Sequence, residues 1–157
     1  MSHTQSPRAS SSSRASFERA RCVFSLKDLA GICEEVESMY RRAASVRAVA
    51  GSRDAFLARA EERAVFSRAI HGEIRRTSGE PWRAAGRMVS TIPEIRPTAN
   101  ASTVFAALDE AESTTEHAYA AALFEPHASR TKQTLLHQLR CVAASRRAMR
   151  DLGERVA

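Results

Sequence analysis

The sequence predicts an all-α protein, a four-helix bundle with a long crossover between its second and third helices. Apolar residues recur at alternating spacings of three and four in four segments, which is the pattern of helices with one buried face. The links between these segments are short, long and short. With 157 residues, the chain is long enough for one domain with a full hydrophobic core. We therefore predict a bundle domain over residues 22–157, preceded by a tail of residues 1–21.

The tail is rich in serine and arginine, and Glu18 is its single acid. A segment of this composition buries too little apolar surface to order itself, so we predict that residues 1–21 are disordered. The same composition is also typical of an organellar transit peptide, although the tail lacks a clear amphipathic stripe. Both interpretations leave the tail outside the bundle.

The first two predicted helices form a hairpin. The first begins at Ser25, whose hydroxyl is suited to cap the free amides of the first turn, and runs to about residue 50. After a short break the second helix covers about residues 53–77 and ends before Gly79. Because so short a link joins two long helices, we expect them to be antiparallel.

The next link has about 20 residues, with three prolines, two glycines and no sustained period. A third helix begins near Asn100 or Ser102, and a fourth runs from about Ser129 to just before Gly153. A helix of about 24 residues is about 36 Å long, whereas a link of about 20 residues can span roughly 66 Å. The link can therefore cross the whole bundle, which is the ferritin-like arrangement; an up-down-up-down bundle with an idle loop is the alternative.

Three segments carry a family resemblance. They are SLKDLAGICEEVESMYRRAASVR, with Tyr40 in a Tyr-x-x-Ala-Ala element, RAEERAVFSRAIHGEIRRTSGEP, and LDEAESTTEHAYAAAL. In these segments, and over about residues 25–152, the chain resembles a bacterial, stress-associated family of ferritin-like four-helix bundles of unknown function. The resemblance implies a ferritin-like fold and no particular reaction.

Ferritin-like oxidases hold two metal ions with a Glu from each of two helices and a Glu-x-x-His from each of the other two. No glutamate in this sequence is followed three positions later by histidine. The candidates left near the apolar stripes are Glu37, Glu61, Glu112 and His137. The alternative to a metal-ligand role is an exposed ion pair with Arg41 for Glu37, and a charged position at the rim of the bundle for Glu61. An inward Glu112 needs a proton, an arginine or a metal ion to neutralise it. We expect no cofactor, with iron or manganese as the alternative.

The formal net charge is +6, and only two of the 24 basic residues are lysine. Arginine suits phosphate partners because its planar guanidinium matches their geometry. The candidate residues for binding nucleic acid or another anionic surface are Arg8, Arg14, Arg146, Arg147 and Arg150. The last three also lie near a helix C-terminus, where cations are favourable for structural reasons alone.

Other features limit the remaining functional classes. The three cysteines form no CxxC pair, and we expect them to be reduced thiols in a cytoplasm. We also find no apolar run of about 18 residues, no secretory signal and no phosphate-binding loop. We expect a cytoplasmic, non-enzymatic protein without membrane contact that acts by self-association or by binding a protein partner. Nucleic-acid binding and a degenerate di-iron type of metal binding are the alternatives.

Overall fold

A computed structural model of the chain describes residues 8–80 and 92–156. It contains four α-helices: α1 (Arg8–Ala43), α2 (Arg53–Ser78), α3 (Ala101–Phe124) and α4 (Ser129–Val156). The described residues form no β-strand, so the all-α prediction is confirmed. None of the described helices has the length and apolarity needed to cross a bilayer.

The first helix begins much earlier than predicted. It starts at Arg8 rather than Ser25, so most of the predicted disordered tail is helical. Ser25 lies inside the helix, where its hydroxyl donates to the carbonyl oxygen of Cys22 and lies 3.3 Å from Nε2 of His127. Alanine and arginine favour a helix, but this segment has no apolar stripe by which its start can be recognised. Residues 1–7 lie outside the described part of the chain.

The link between the first two helices is longer than predicted. The first helix ends at Ala43 rather than near residue 50, and a short 3-10 helix, Arg47–Ser52, precedes α2. The predicted bounds of the second helix are close to those observed. Gly79 ends it in the left-handed conformation, with φ of 76°, and its N–H donates to the carbonyl oxygen of Arg75 at 2.8 Å.

The last two helices begin where the sequence predicts. The side chain of Asn100 caps α3 by accepting a hydrogen bond of 2.8 Å from the N–H of Thr103. The fourth helix passes through Gly153, where we predicted its end. A Cβ at Gly153 would lie 3.1 Å from Cγ of Phe105, so the glycine allows close packing of α4 on α3 instead of ending the helix.

Contacts between side chains give the helix directions. α1 is antiparallel to α2 and to α3, and α4 is antiparallel to α3. The pairs that fix these directions are Arg41–Glu61 and Glu34–Ser67 for α1 with α2, Tyr40–Glu112 and Cys33–Tyr119 for α1 with α3, and Asp109–Arg146 and Tyr119–Gln138 for α3 with α4. It follows that α2 and α3 run in the same direction.

The apolar core has two parts. One surrounds Phe56 and Phe105 near the start of α2, and the other surrounds Leu29 and Ile70 near its end. The layer between them includes five buried polar side chains: Arg63, Ser67, Glu112, Thr115 and Ser145. Two of them, Arg63 and Glu112, are hydrogen-bonded to each other across the bundle. This polar layer is the chemically distinctive part of the interior.

Candidate functional site

The polar layer is centred on a buried ion pair. Nη2 of Arg63 donates to both carboxylate oxygens of Glu112, each at 2.7 Å. The hydroxyl of Tyr40 donates to Oε1 of the same carboxylate, also at 2.7 Å. All three side chains have 0% of their surface exposed. The carboxylate therefore receives three short, charge-assisted hydrogen bonds in a site that water does not reach.

Helical spacing places these three side chains inside. Arg63 belongs to a stripe of α2 with alternating spacings of four and three, made of Phe56, Ala60, Arg63, Ser67, Ile70 and Ile74, all of which are buried. Glu112 lies four residues after the buried Leu108 and three before the buried Thr115. Tyr40 lies four residues after the buried Val36. Each polar residue thus occupies a position at which an apolar residue is expected.

A second carboxylate supports the guanidinium of Arg63. Nη1 of Arg63 donates to Oε2 of Glu62 at 3.0 Å, and the hydroxyl of Ser145 donates to the same oxygen at 2.8 Å. Nη1 of Arg59 reaches both Glu62 and Ser145, so the network extends from the core to the bundle surface. The carbon of the Arg63 guanidinium lies 5.4 Å from the centroid of the Phe66 ring. Nε of Arg63 is buried and has no hydrogen-bond partner among the described residues.

A neutral chain of hydrogen bonds lies next to this layer. The hydroxyl of Tyr119 donates to Oε1 of Gln138 at 3.0 Å and lies 3.5 Å from Sγ of Cys33. Nε2 of Gln138 in turn donates to the carbonyl oxygen of Phe66 at 3.4 Å. These bonds satisfy buried polar groups that would otherwise destabilise the fold.

Burial and pairing oppose each other in the pKa values of the ion pair. Burial raises the pKa of Glu112, and the charge of Arg63 and the hydroxyl of Tyr40 counteract that rise. Burial alone would lower the pKa of Arg63, but the adjacent Glu112 carboxylate reverses this and raises it. The net pKa of Glu112 stays raised, and the geometry favours an ion pair because the charged guanidinium donates two hydrogen bonds of 2.7 Å to the carboxylate.

The environment of the buried Cys33 thiol does not favour its reaction as a nucleophile. Burial raises the pKa of Cys33 to about 11, so the thiol stays protonated at neutral pH. Burial also raises the pKa of Tyr119. A protonated, fully buried thiol lacks the thiolate character and access that a nucleophile needs.

The four metal candidates do not form one site. Glu37 accepts from Nε of Arg41 at 3.0 Å, which is the ion-pair alternative, and Glu61 is exposed and bonded to Arg68. His137 is also exposed. Glu112 alone faces the core, and arginine is the group that neutralises it. No set of three or more His, Cys, Asp or Glu side chains in the described part of the chain is grouped to hold a metal ion. Among the residues that the structure describes, the four candidates therefore do not come together as a two-metal centre.

The nucleic-acid candidates are divided between the two ends of the bundle. Arg14 belongs to the start of α1, where it pairs with Glu18, and the side chain of Arg8 lies outside the described residues. The C-terminal cluster lies beside Asp109, at the other end. Nε of Arg146 and Nε of Arg150 donate to Asp109 at 2.9 and 2.7 Å.

The remaining C-terminal candidate, Arg147, is exposed. The carboxylates of Asp109 and Glu116 largely neutralise Arg146 and Arg150. The structure therefore does not bring the five arginines into one cationic surface.

Sequence reasoning missed Arg63, the residue that completes the buried pair. An arginine is one of the three groups that could neutralise an inward Glu112, but no particular arginine was predicted for that role. The available signal was its position on the α2 stripe, seven residues before Ile70 and three after Ala60. An arginine on such a stripe indicates a buried carboxylate on a facing helix, because an unpaired internal charge is too costly.

The exterior has an unusual feature at the end of the bundle where α1 begins. Half of the six phenylalanines in the sequence are exposed there: Phe17, Phe24 and Phe124, with 65%, 68% and 90% of their surface accessible. Phe17 and Phe24 lie seven residues apart on one face of α1. Phe124 precedes Glu125, which accepts a 2.9 Å hydrogen bond from Arg21 on that same face. We call these three residues the aromatic end.

A cavity of about 720 Å³ lies at this end, between the start of α1, the end of α2 and the start of α4. Buried Glu73 and Thr131 contribute to its wall, with a 2.8 Å hydrogen bond from the threonine hydroxyl to the carboxylate. Arg76 also pairs with Glu73. These contacts satisfy the acidic part of the wall within the chain.

Comparison with protein-family models, with curated proteins and with solved structures finds no match to this chain.

Proposed function

We propose that the protein is a ferritin-like four-helix bundle that acts by self-association rather than by catalysis. The observation that carries this proposal is the aromatic end, where three of six phenylalanines are exposed. Exposed aromatic residues of this size mark protein contact surfaces more often than inert surface, because leaving them in water is unfavourable.

The helix directions support a ferritin-like crossover. Since α2 and α3 run in the same direction, the link between them has to join opposite ends of the bundle. Ile92 and Ile95, late in this link, pack with the core cluster that includes Val49 and Phe56, close to where α2 begins. An up-down-up-down bundle would instead bring the end of the link to the side where α2 finishes.

The interior supports a structural rather than a catalytic role. In this proposal the Arg63–Glu112 pair takes the place that ligands hold in metal-binding bundles. The Glu112 carboxylate accepts three hydrogen bonds from Arg63 and Tyr40 and has no exposed surface, which disfavours its use by a substrate or a metal ion. Its expected contribution is to fix how α1, α2 and α3 pack together.

The direct test is a concentration series of the purified full chain by size-exclusion chromatography with light scattering. We expect the mass per particle to rise from that of one chain toward a dimer or a larger assembly as the concentration increases. A single chain mass at every concentration up to the millimolar range would overturn the proposal.

Elemental analysis tests the non-catalytic part separately. After incubation with iron(II) or manganese(II) and desalting, we expect well below one metal ion per chain. Two bound ions per chain, lost in the Glu112→Ala variant and kept in Glu61→Ala, would instead support a two-metal centre in the core.

A further inference from the structure

We infer that two copies of this chain pair through the first turns of α1, with a two-fold axis near Ala20 and the aromatic end of each copy in contact with the other. This inference rests on the proposed self-association and names its surface.

The start of α1 is largely exposed within the described part of the bundle, although Ala15, Glu18 and Arg19 line the cavity beside α2 and α4. Among the side chains described before Cys22, all are exposed except the half-buried Glu18. Cys22 is the first buried residue of the helix. Residues 8–21 make a helical extension about 21 Å long. A helix segment of this length gains most of its stability from packing, so a partner helix would stabilise it.

The exposed face is complementary to itself. Phe17, Ala20 and Phe24 follow one another at spacings of three and four, so two rings flank a small side chain. When the α1 helices of two copies pack antiparallel about a two-fold axis near Ala20, Phe17 and Phe24 of each helix contact the alanine and the two phenylalanines of the other. A two-fold contact of this kind uses the same patch on both subunits and closes without growing into a filament.

The same arrangement accounts for the exposure of Phe124. Because Arg21 binds Glu125, the end of α3 lies beside α1 close to the proposed axis. The extension of the partner would run past this point, and Phe124 would pack against it. Phe124 is 90% exposed and therefore packs little against the described part of its own chain.

The available area is suited to a dimer. With a surface of about 200 Å² for each phenylalanine, the three rings offer roughly 450 Å² per chain. Stable interfaces bury about 800 Å² per partner, so the rings alone would supply more than half of that area. The exposed serine, arginine and alanine side chains of residues 12–21 can supply the rest.

The charge around the rings favours a copy of the same chain over an anionic partner. Arg14 is paired with Glu18 and Arg21 with Glu125, so two of the nearby cations are already neutralised. An acidic protein or a vesicle of anionic lipid would need free cations at this face. Two copies of a nearly neutral face meet without like-charge repulsion.

Sedimentation equilibrium tests the proposed surface with variants that are substituted only at exposed positions. We expect the double variant Phe17→Ser, Phe24→Ser to raise the dimer dissociation constant by on the order of tenfold or more. The matched controls Val65→Ser and Leu136→Ser change apolar residues that are 48% and 42% exposed on other parts of the bundle, and they should leave the constant within about twofold. Circular dichroism should show that all four proteins keep their helical content.

A cysteine placed near the axis tests the geometry independently. In a Cys141→Ser background, Ala20→Cys should form a disulfide-linked dimer under mild oxidation, because a residue on a two-fold axis lies next to its own copy. Ala58→Cys, an exposed position on α2, should not do so. Equal cross-linking of the two variants would overturn the proposed axis.

The outcomes separate the two proposals. A wild-type protein that is monomeric at all concentrations would overturn self-association together with this surface. A wild-type dimer whose dissociation constant is unchanged by the two phenylalanine substitutions would leave self-association standing and overturn only the surface proposed for it.

Discussion

The centre and one end of this bundle depart from ordinary globular proteins in opposite ways. The centre buries a charged arginine, a charged glutamate and a tyrosine, all with 0% exposure. The end where α1 begins exposes phenylalanine rings that are 65–90% accessible. Charges are normally outside and aromatic rings inside.

The difference separates structure from function. The buried charges are matched to each other and need nothing from outside the chain, so their effect is on folding. The exposed rings have no matching surface in the described part of the chain, and in the proposed function their effect is on association.

The largest expected effect is on stability at the centre. Glu112→Ala removes the buried carboxylate that binds Arg63 and leaves this charged, buried side chain with only the half-buried Glu62. Breaking a buried pair in this way typically costs about 3–5 kcal/mol. We expect a loss of this size in the free energy of unfolding measured with urea. Glu61→Ala, which removes an exposed glutamate, should change it by no more than about 0.5 kcal/mol.

Removing both charges of the buried pair should lower the free energy of unfolding less than removing one of them. When Arg63→Met and Glu112→Leu are combined, no charge is left buried, and such replacements are often neutral or stabilising. We expect the double variant to be clearly more stable than Glu112→Ala. A double variant as unstable as the single one would show that the pair itself, rather than the orphaned charge, stabilises the fold.

A smaller effect is expected for Tyr40→Phe. It removes one hydrogen bond to the charged carboxylate of Glu112 and keeps the ring in the core, where it packs near Phe56. Hydrogen bonds to charged groups contribute about 1.5–3 kcal/mol, so urea unfolding should show a loss of about 2 kcal/mol. A loss below about 0.5 kcal/mol would mean that Arg63 alone satisfies the carboxylate.

The surface ion pairs should have a weaker effect, visible through pH. Arg150 and Arg146 lower the pKa of Asp109 from 3.8 to about 2 in the folded protein. The stability from this carboxylate is therefore present above pH 3.8 and is lost as the pH falls toward 2. Solvent screens the group, so we expect roughly 1 kcal/mol or less. Asp109→Asn should remove this part of the pH dependence and leave the rest of the profile unchanged.

The smallest effect on stability is expected at the aromatic end. Phe24→Ser removes a ring that is 68% exposed, so the free energy of unfolding of the monomer should change by about 0.5 kcal/mol or less. Dilute protein should be used, because dimerisation itself adds to the apparent stability. A loss of several kcal/mol under these conditions would show that the ring belongs to the core.

Much of the fold could be predicted from the sequence, because helix periodicity and end signals are local. Asn100 and Ser129 mark helix starts through the chemistry of the first turn, and they were placed correctly. The start of α1 at Arg8 was missed, because a serine- and arginine-rich helix without a buried face shows no period. Its order depends on contacts that local signals do not report.

In the buried ion pair, the sequence indicated the glutamate but not the arginine that binds it. Its place beside Ala111 and one turn before Thr115 makes Glu112 the best single candidate for an inward carboxylate, and in the structure Glu112 is buried. Its partner could not be chosen among a proton, an arginine and a metal ion, since that choice depends on which helix faces it. Arg63 comes 49 residues earlier in the chain and meets Glu112 only because α2 and α3 both pack beside α1.

The most direct test of the separation between centre and end compares two variants by sedimentation equilibrium and urea unfolding. Tyr40→Phe should lower the free energy of unfolding and keep the wild-type dimer dissociation constant. Phe24→Ser should keep the monomer stability and weaken the dimer. A dissociation constant that changes in Tyr40→Phe and stays the same in Phe24→Ser would contradict the account.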